Sequence, residues 1–205
     1  MTPRRAATGA LLLLVILQAA PAAAGHGMVT SFAAIEWLPE PGRTPDESFY
    51  FLDGWKEARE LAAASSSKET VEVSLRVARE KLAELEAMVR AGNDRAAEIA
   101  ADRYRALVAG ALGALRPEAG APPEESATAE LARTFCQALL EHRYILSVDY
   151  ETLPEGSRGL LVSVAEHADA AYRKAAPHLA QGDRDPFSFK DNEVRWSVRA
   201  GMQPN

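Results

Sequence analysis

Two histidines come closest to a chemical site in this 205-residue sequence. His142 and His167 are each directly preceded by a glutamate, Glu141 and Glu166. On the two helices of one predicted hairpin they lie about 7 Å apart along the axis, at a rise of ~1.5 Å per residue. They could share a metal ion, but helical di-iron proteins use Glu-x-x-His on facing helices, and that spacing is absent. We therefore predict no metal and no cofactor, and favour two hydrogen-bonded or exposed histidines.

His26 offers a narrower metal hypothesis. If a leader peptide were removed one residue early, the mature chain would begin Ala24-Gly25-His26. A histidine in third position chelates Cu(II) together with the terminal amine, a nitrogen-rich geometry that copper tolerates. Cleavage after Ala24, which we expect, destroys this site.

Signatures of catalysis are not found. The sequence has no H-E-x-x-H, no G-x-S-x-G, no phosphate-binding loop, no G-x-G-x-x-G and no C-x-x-C-H. The run at 156–159 superficially resembles a nucleophile turn, but it lies inside a predicted helix with no strand before it. We therefore predict that the protein is not an enzyme and has no catalytic residues.

The N-terminus has the order of a secretory signal peptide. Arg4 and Arg5 precede an apolar run over residues 9–20, and 22–24 form an A-x-A cleavage site. The run is shorter than the ~20 residues needed to cross a bilayer core. We predict removal of residues 1–24, export to the periplasm or beyond the cell, and no membrane span afterwards. An uncleaved anchor is the alternative.

Composition disfavours one class of partner. The formal net charge is −6, and loss of Arg4 and Arg5 makes the chain more acidic. Because phosphate binding needs clustered Lys and Arg, we expect no nucleic-acid partner.

Cys136 is the only cysteine, so no intramolecular disulfide can form. We expect it to be a small buried hydrophobe, with an intermolecular disulfide as the alternative.

Apolar periodicity predicts an all-α fold: a short first helix, two antiparallel hairpins of four long helices, and a partly irregular C-terminal tail. Abundant Ala, Leu, Glu and Arg favour helix by intrinsic propensity. The predicted organisation is a signal peptide at 1–24, an extended lead-in at 25–44, the first helix and first hairpin at 45–115, a linker at 116–125, the second hairpin at 126–182, and the tail at 183–205.

The first hairpin has the clearest pattern, a heptad seam of the coiled-coil type. The seam residues are Val71, Leu75, Ala78, Leu82, Leu85 and Val89. We expect Ser66 and Glu69 to form a capping box before them, and Gly92 to end the helix just before Asn93 or Asp94 caps the next. So short a turn makes the two helices antiparallel.

Charged residues outside the seam are predicted to pair on the helix surface. Glu72 with Arg76 and Glu86 with Arg90 have the favourable i,i+4 spacing. Because Arg79 lies off the seam, Arg79→Ala is expected to be nearly silent.

The remaining helix boundaries have weaker sequence signals. Capping boxes are predicted at 44–47, where the first helix would start, and at 152–155, where the fourth long helix would start. Pro177 should kink or end that last helix and Gly182 should close it. In the tail, the alternation of Val194, Trp196 and Val198 indicates a short strand.

Aromatic residues crowd the predicted first helix. Phe49, Tyr50, Phe51 and Trp55 have helical spacing. They could line a ligand groove, but the seam needs a third layer to bury it, so we favour a plug for the open end of the hairpin core.

A family resemblance follows from the same region. The opening motif "LPG…P…FY.LK…WE" of a bacterial family, the domain of unknown function numbered five-six-six-seven, resembles a stretch of this sequence. The matching residues are Leu-Pro-Glu-Pro-Gly at 38–42, Pro45, Ser-Phe-Tyr-Phe-Leu at 48–52, Trp55 and Glu57. Residues 78–86 and 92–93 are similar to its following helix, and the resemblance covers about 38–115. The sequence departs from the motif at residues 53–54, where the family usually has basic residues. The resemblance implies a small helical domain on exported or membrane-anchored bacterial proteins, and it supplies no activity, cofactor or catalytic residue.

These features favour a non-catalytic protein-interaction or self-association module, with an unknown protein partner or a second copy. Small residues in the second and fourth long helices allow close contact with other helices, either in a partner or second copy or inside a thin, closely packed monomeric bundle. They include Ala97, Ala100, Ala101, Ala168, Ala171 and Ala175. The alternative is a periplasmic metal-binding or metal-responsive bundle that uses His142, His167 and the neighbouring glutamates.

Overall fold

The structure is a computed structural model that describes residue 32, residues 35–115 and residues 127–202, the last eight by their backbone alone. These residues form six α-helices and no strand, which confirms the all-α prediction. The helices are α1 (Tyr50–Ala63), α2 (Ser67–Arg90), α3 (Asp94–Ala114), α4 (Ala127–Thr152), α5 (Arg158–Ala175) and α6 (Gln181–Met202). The predicted signal peptide and the 116–125 linker lie outside the described residues.

Two antiparallel hairpins share one hydrophobic core. Helix α2 packs along α3, α4 packs along α5, and α3 meets α5 between the two pairs. The predicted seam of α2 is buried along its whole length. The same core contains all six alanines that we considered for external contacts, so their small side chains serve close packing inside the bundle. Of the two interpretations of these alanines, close packing inside the bundle is therefore confirmed, and contact with a partner is wrong.

The α2–α3 turn forms as predicted. Gly92 takes a positive φ of 68°, and the N–H groups of Gly92 and Asn93 donate to the carbonyls of Val89 and Met88. Asn93 Oδ1 then accepts from the N–H of Ala96, 3.2 Å away, and caps α3. These bonds satisfy the free groups of both helix ends, which fixes the hairpin.

Capping predictions had mixed outcomes. Ser66 caps α2 by accepting from the N–H of Glu69, as expected, but the Glu69 carboxylate accepts mainly from Ser65, so the main reciprocal bond goes to the residue before the predicted one. Thr44 and Glu47 bond to each other but close a turn, and α1 begins only at Tyr50. The box at 152–155 does not form, because Thr152 is still inside α4 and its hydroxyl donates to the Val148 carbonyl.

Tertiary partners change two predicted surface contacts of α2. Arg76 pairs with Glu80 and with Glu60 of α1, so the expected pair with Glu72 is wrong, whereas the Glu86–Arg90 pair forms. Arg79 donates to the carboxylate of Glu36, 3.1 Å away, and to backbone carbonyls of the lead-in. Arg79 is therefore an anchor for the lead-in.

The C-terminal tail contains a sixth helix where a strand was predicted. Phe187, Asp191 and Val194 are buried at helical spacing, and α6 packs against α4. This i, i+4, i+7 pattern dominates over the alternation that indicated a strand. Pro177 ends α5 as expected, but Gly182 lies in the first turn of α6 and does not close the preceding helix.

Candidate interaction surface

Helix α1 lies on the first hairpin through polar contacts. Glu57 of α1 reaches Lys81 of α2, with 2.5 Å between Oε1 and Nζ. Lys81 also lies 2.6 Å from Glu84, and the hydroxyl of Tyr50 donates to Glu84 over 2.9 Å. All four side chains are buried, and Lys81 is only 1 % exposed. The inner face of α1 is therefore held by a buried ionic cluster.

Electrostatics favour the charged form of Lys81, whereas burial, the largest effect on Glu84, raises the pKa of that carboxyl group. Burial disfavours the ammonium of Lys81, but hydrogen bonds and charges from Glu57 and Glu84 outweigh burial and raise its pKa. Burial and the adjacent Glu84 carboxylate raise the pKa of Tyr50 to about 12, so the phenol remains a donor at neutral pH. Buried ion pairs need such complete hydrogen bonding to offset their desolvation.

The outer face of α1 is apolar and uncovered within the described structure. Phe49, Phe51 and Trp55 are 59 %, 65 % and 61 % exposed, and Leu52 is 41 % exposed. Phe51 and Trp55 are i,i+4 neighbours, while Leu52 and Trp55 are i,i+3 neighbours, so they form one stripe. We call Phe49, Phe51, Leu52 and Trp55 the outer aromatic face.

The predicted core plug is therefore wrong for three of its four aromatics. Only Tyr50 points inward, and it does so by its hydroxyl bond to Glu84. Helix α1 has inverted polarity: it buries Glu57 and exposes Phe51 and Trp55. A soluble helix normally places its apolar stripe toward the core.

Cations accompany the outer aromatic face. The guanidinium of Arg59 lies 4.9 Å from the centroid of the Trp55 ring, within the range of a cation–π contact. Lys56, one turn after Leu52, is strongly exposed and makes a loose 3.8 Å pair with Glu60. Aromatic residues with arginine are the composition that protein interfaces enrich at their centre.

The two helical histidines have different surroundings. His142 is buried, with Nδ1 3.2 Å from the hydroxyl of Tyr104, and burial followed by the charge of Arg79 lowers the pKa of His142 to about 3. His167 lies half-buried on α5, and burial is the main reason that its pKa is lowered. His142 is thus a neutral core residue that bridges α4 and α3.

The remaining candidate metal ligands, where the structure describes them, are not arranged to bind a metal ion together. Glu141 accepts a 2.6 Å hydrogen bond from Gln137, Glu166 is exposed, and His26 is outside the described residues. Across residues 35–115 and 127–194, no three His, Cys, Asp or Glu side chains are grouped so that they could hold a metal ion. Cys136 is buried, as expected, and burial raises its pKa to about 12, which keeps it a thiol.

Comparison with known proteins gives one match. A family model described as a domain of unknown function (DUF5667) matches residues 42–147, just over half of the chain. The match contains α1, α2, α3 and most of α4. No curated protein and no solved structure matches the chain significantly. Within the described residues, no helix is long and apolar enough to cross a membrane.

Proposed function

We propose that this chain, which belongs to the DUF5667 family of unknown function, is a non-catalytic interaction module whose contact surface is the outer aromatic face. Membership of the family assigns no activity. One observation carries the proposal: α1 buries the charged Glu57 against its own bundle and exposes Phe51, Leu52 and Trp55 to solvent. Four contiguous large apolar side chains on a short helix mark a contact site more specifically than scattered ones do.

The partner fits a helix-in-groove mode of recognition. Phe51, Leu52 and Trp55 supply anchors at i, i+1 and i+4, and a hydrophobic groove on a second protein would receive them. Lys56 and Arg59 flank these anchors, so the groove should have an acidic rim. We therefore propose a protein partner with an apolar, acid-rimmed groove, and self-association with a second copy is the alternative.

The proposal also includes export of the protein from the cytosol. The order of charges, apolar run and small residues over 1–24 supports secretion of the mature module. Intact-mass measurement of envelope material should show a chain that begins at Gly25. A full-length product confined to the cytosol would contradict export.

A site-specific photo-crosslinker tests the contact surface. The crosslinking amino acid is placed at Trp55 and, as the matched control, at Phe189, which is 68 % exposed on α6. We expect a discrete adduct from position 55 and none from position 189. The partner, identified and purified, should then bind the wild-type protein in a two-component assay.

Affinity measurement completes the test. Truncating a central aromatic anchor typically costs about 2 kcal/mol or more, which is about 30-fold in Kd. Trp55→Ala should therefore weaken binding by about that factor and Phe189→Ala should leave it unchanged. Equal effects of the two substitutions on binding would refute the outer aromatic face as the contact surface. An adduct made only of two copies of this chain would show self-association in place of a partner protein. Flotation with lipid vesicles that depends on Trp55 would show that the surface binds a membrane in place of a protein.

A further inference from the structure

A cleft of about 310 Å³ lies beneath α1, between α1, α2 and α3. Its walls are mainly apolar. They include Ala58, Leu61, Ala106, Leu107 and Gly110, with the Ser74 hydroxyl group nearby. The volume is at the small end of the range of about 300–1,000 Å³ in which ligand pockets fall.

One end of the cleft carries a positioned guanidinium. Arg103 of α3 lies with its guanidinium carbon 5.6 Å from the centroid of the Tyr50 ring. A Cβ at Gly54 would stand 2.9 Å from Nη1 and 3.0 Å from Nη2, so an alanine there would force the guanidinium to move. Gly54 thus leaves room for the guanidinium of Arg103.

The positive charge of Arg103 is only loosely neutralised. Glu57 gives its short contact to Lys81, 2.5 Å away, whereas Arg103 Nη1 lies 3.8 Å from the other oxygen of Glu57, beyond hydrogen-bond length. The Arg103 side chain is also partly exposed. A guanidinium in this position can take an anionic ligand through charge-assisted hydrogen bonds.

We infer that this cleft binds a small amphiphilic anion, a medium-chain carboxylate whose hydrocarbon part lies between Leu61 and Leu107 and whose carboxylate pairs with Arg103. The apolar walls favour the hydrocarbon by removing it from water. Arg103, the basic residue of the described lining, orients the ligand and selects a carboxylate over a neutral head group, whereas the Glu57 carboxylate in the same lining is paired with Lys81. This site lies on the inner side of α1 and is separate from the outer aromatic face.

Titration with octanoate, followed by amide chemical shifts of the full mature chain, tests the site. Saturable shifts should centre on Leu61, Leu107 and Gly110. Gly110→Leu adds an apolar side chain to the lining of the cleft, and nothing lies within 4 Å of a Cβ at that position. Gly113→Leu, on the same helix with equally open space and outside the cleft lining, is the matched control. Both variants replace a helical glycine by a better helix former, so both should stay folded.

We expect Gly110→Leu to abolish the octanoate shifts and Gly113→Leu to preserve them. Arg103→Gln should weaken octanoate binding at least 10-fold and leave the binding of 1-octanol, the neutral analogue, unchanged. The inference is overturned if octanoate produces no saturable shifts, if Gly110→Leu leaves them intact, or if octanol binds the wild-type protein as tightly as octanoate.

Discussion

The ammonium of Lys81 lies 2.5 Å from the carboxylate of Glu57, and this contact joins α1 to the hairpin in a place where the side chain of Lys81 is almost fully buried. The pair places a charge in the interior and turns the apolar face of α1 outward. The ionic cluster and the outer aromatic face are therefore two sides of one arrangement.

Removing Lys81 should destabilise the fold strongly. Lys81→Met leaves Glu57 and Glu84 buried without their cation, and breaking a buried pair in this way costs about 3–5 kcal/mol. Lys68→Met is the control, since Lys68 is an exposed residue of the same helix with a loose 3.9 Å partner in Glu72. It should change the free energy of unfolding by less than about 0.5 kcal/mol in urea titrations. Equal effects would mean that Lys81 is not an internal anchor.

Asp149 should make stability depend on pH. It is 2 % exposed, and its Oδ1 has no hydrogen-bond partner among the described residues. Burial and, to a smaller extent, repulsion by Glu86 of α2 raise the pKa of Asp149 to about 7, although Arg90 opposes the shift. The unfolded value is about 3.9. Between about pH 4 and pH 7 only the folded chain holds this proton, so stability from this group is fully present below about pH 4, falls as pH rises, and is lost once pH passes about 7.

The variant Asp149→Asn isolates this effect. It should match the wild type near pH 4 and become progressively more stable than it up to about pH 7, by about 1.4 kcal/mol for each pH unit at most. The comparison must be made variant against wild type, because the lowered pKa of His142 gives a slope of opposite sign between about pH 3 and pH 6.5. Urea unfolding at several pH values measures the difference; a difference independent of pH would contradict the assignment.

Arg79→Ala should release the lead-in, contrary to the silence expected from the sequence. The side chain holds the backbone of Glu36 and Trp37 and the Glu36 carboxylate. Hydrogen bonds to a charged group contribute about 1.5–3 kcal/mol. We expect faster proteolysis and hydrogen exchange at residues 35–40, with Arg90→Ala, an exposed surface pair, as the control. Equal protection in the two variants would restore the original expectation.

The sequence was sufficient for the parts of the fold that depend on local signals. The seam from Val71 to Val89, the Gly92 turn and the Asn93 cap each need only neighbouring residues, and each formed. The tail was missed because its burial depends on docking against α4. Asp191 counts as a surface residue in any hydropathy pattern, yet its carboxylate accepts a hydrogen bond from the buried Arg143, 2.6 Å away.

The candidate surface could not be predicted for a related reason. Apolar residues at helical spacing in α1 indicate a core face, and nothing local shows that Glu57 is the residue that turns inward. The deciding contact is with Lys81, 24 positions later, and Lys81 also pairs with Glu84. The i,i+3 spacing of Lys81 and Glu84 beside the seam was a usable signal, but surface pairs have the same spacing.

Ala171→Glu separates an internal alanine face from an external one. If the alanine side of α5 met a partner, the glutamate would abolish association and leave the helices intact. The structure places Ala171 in the core, so the variant must bury a carboxylate and extra volume together, which should cost about 3 kcal/mol or more. The adjacent Ala170→Glu places the same side chain at an exposed position and should leave stability within about 0.5 kcal/mol of the wild type. Circular dichroism during urea unfolding distinguishes the two variants, and light scattering reports association of the folded chain. If Ala171→Glu proved as stable as Ala170→Glu, the alanine face would be free, and it would compete with the outer aromatic face of α1 as the contact surface.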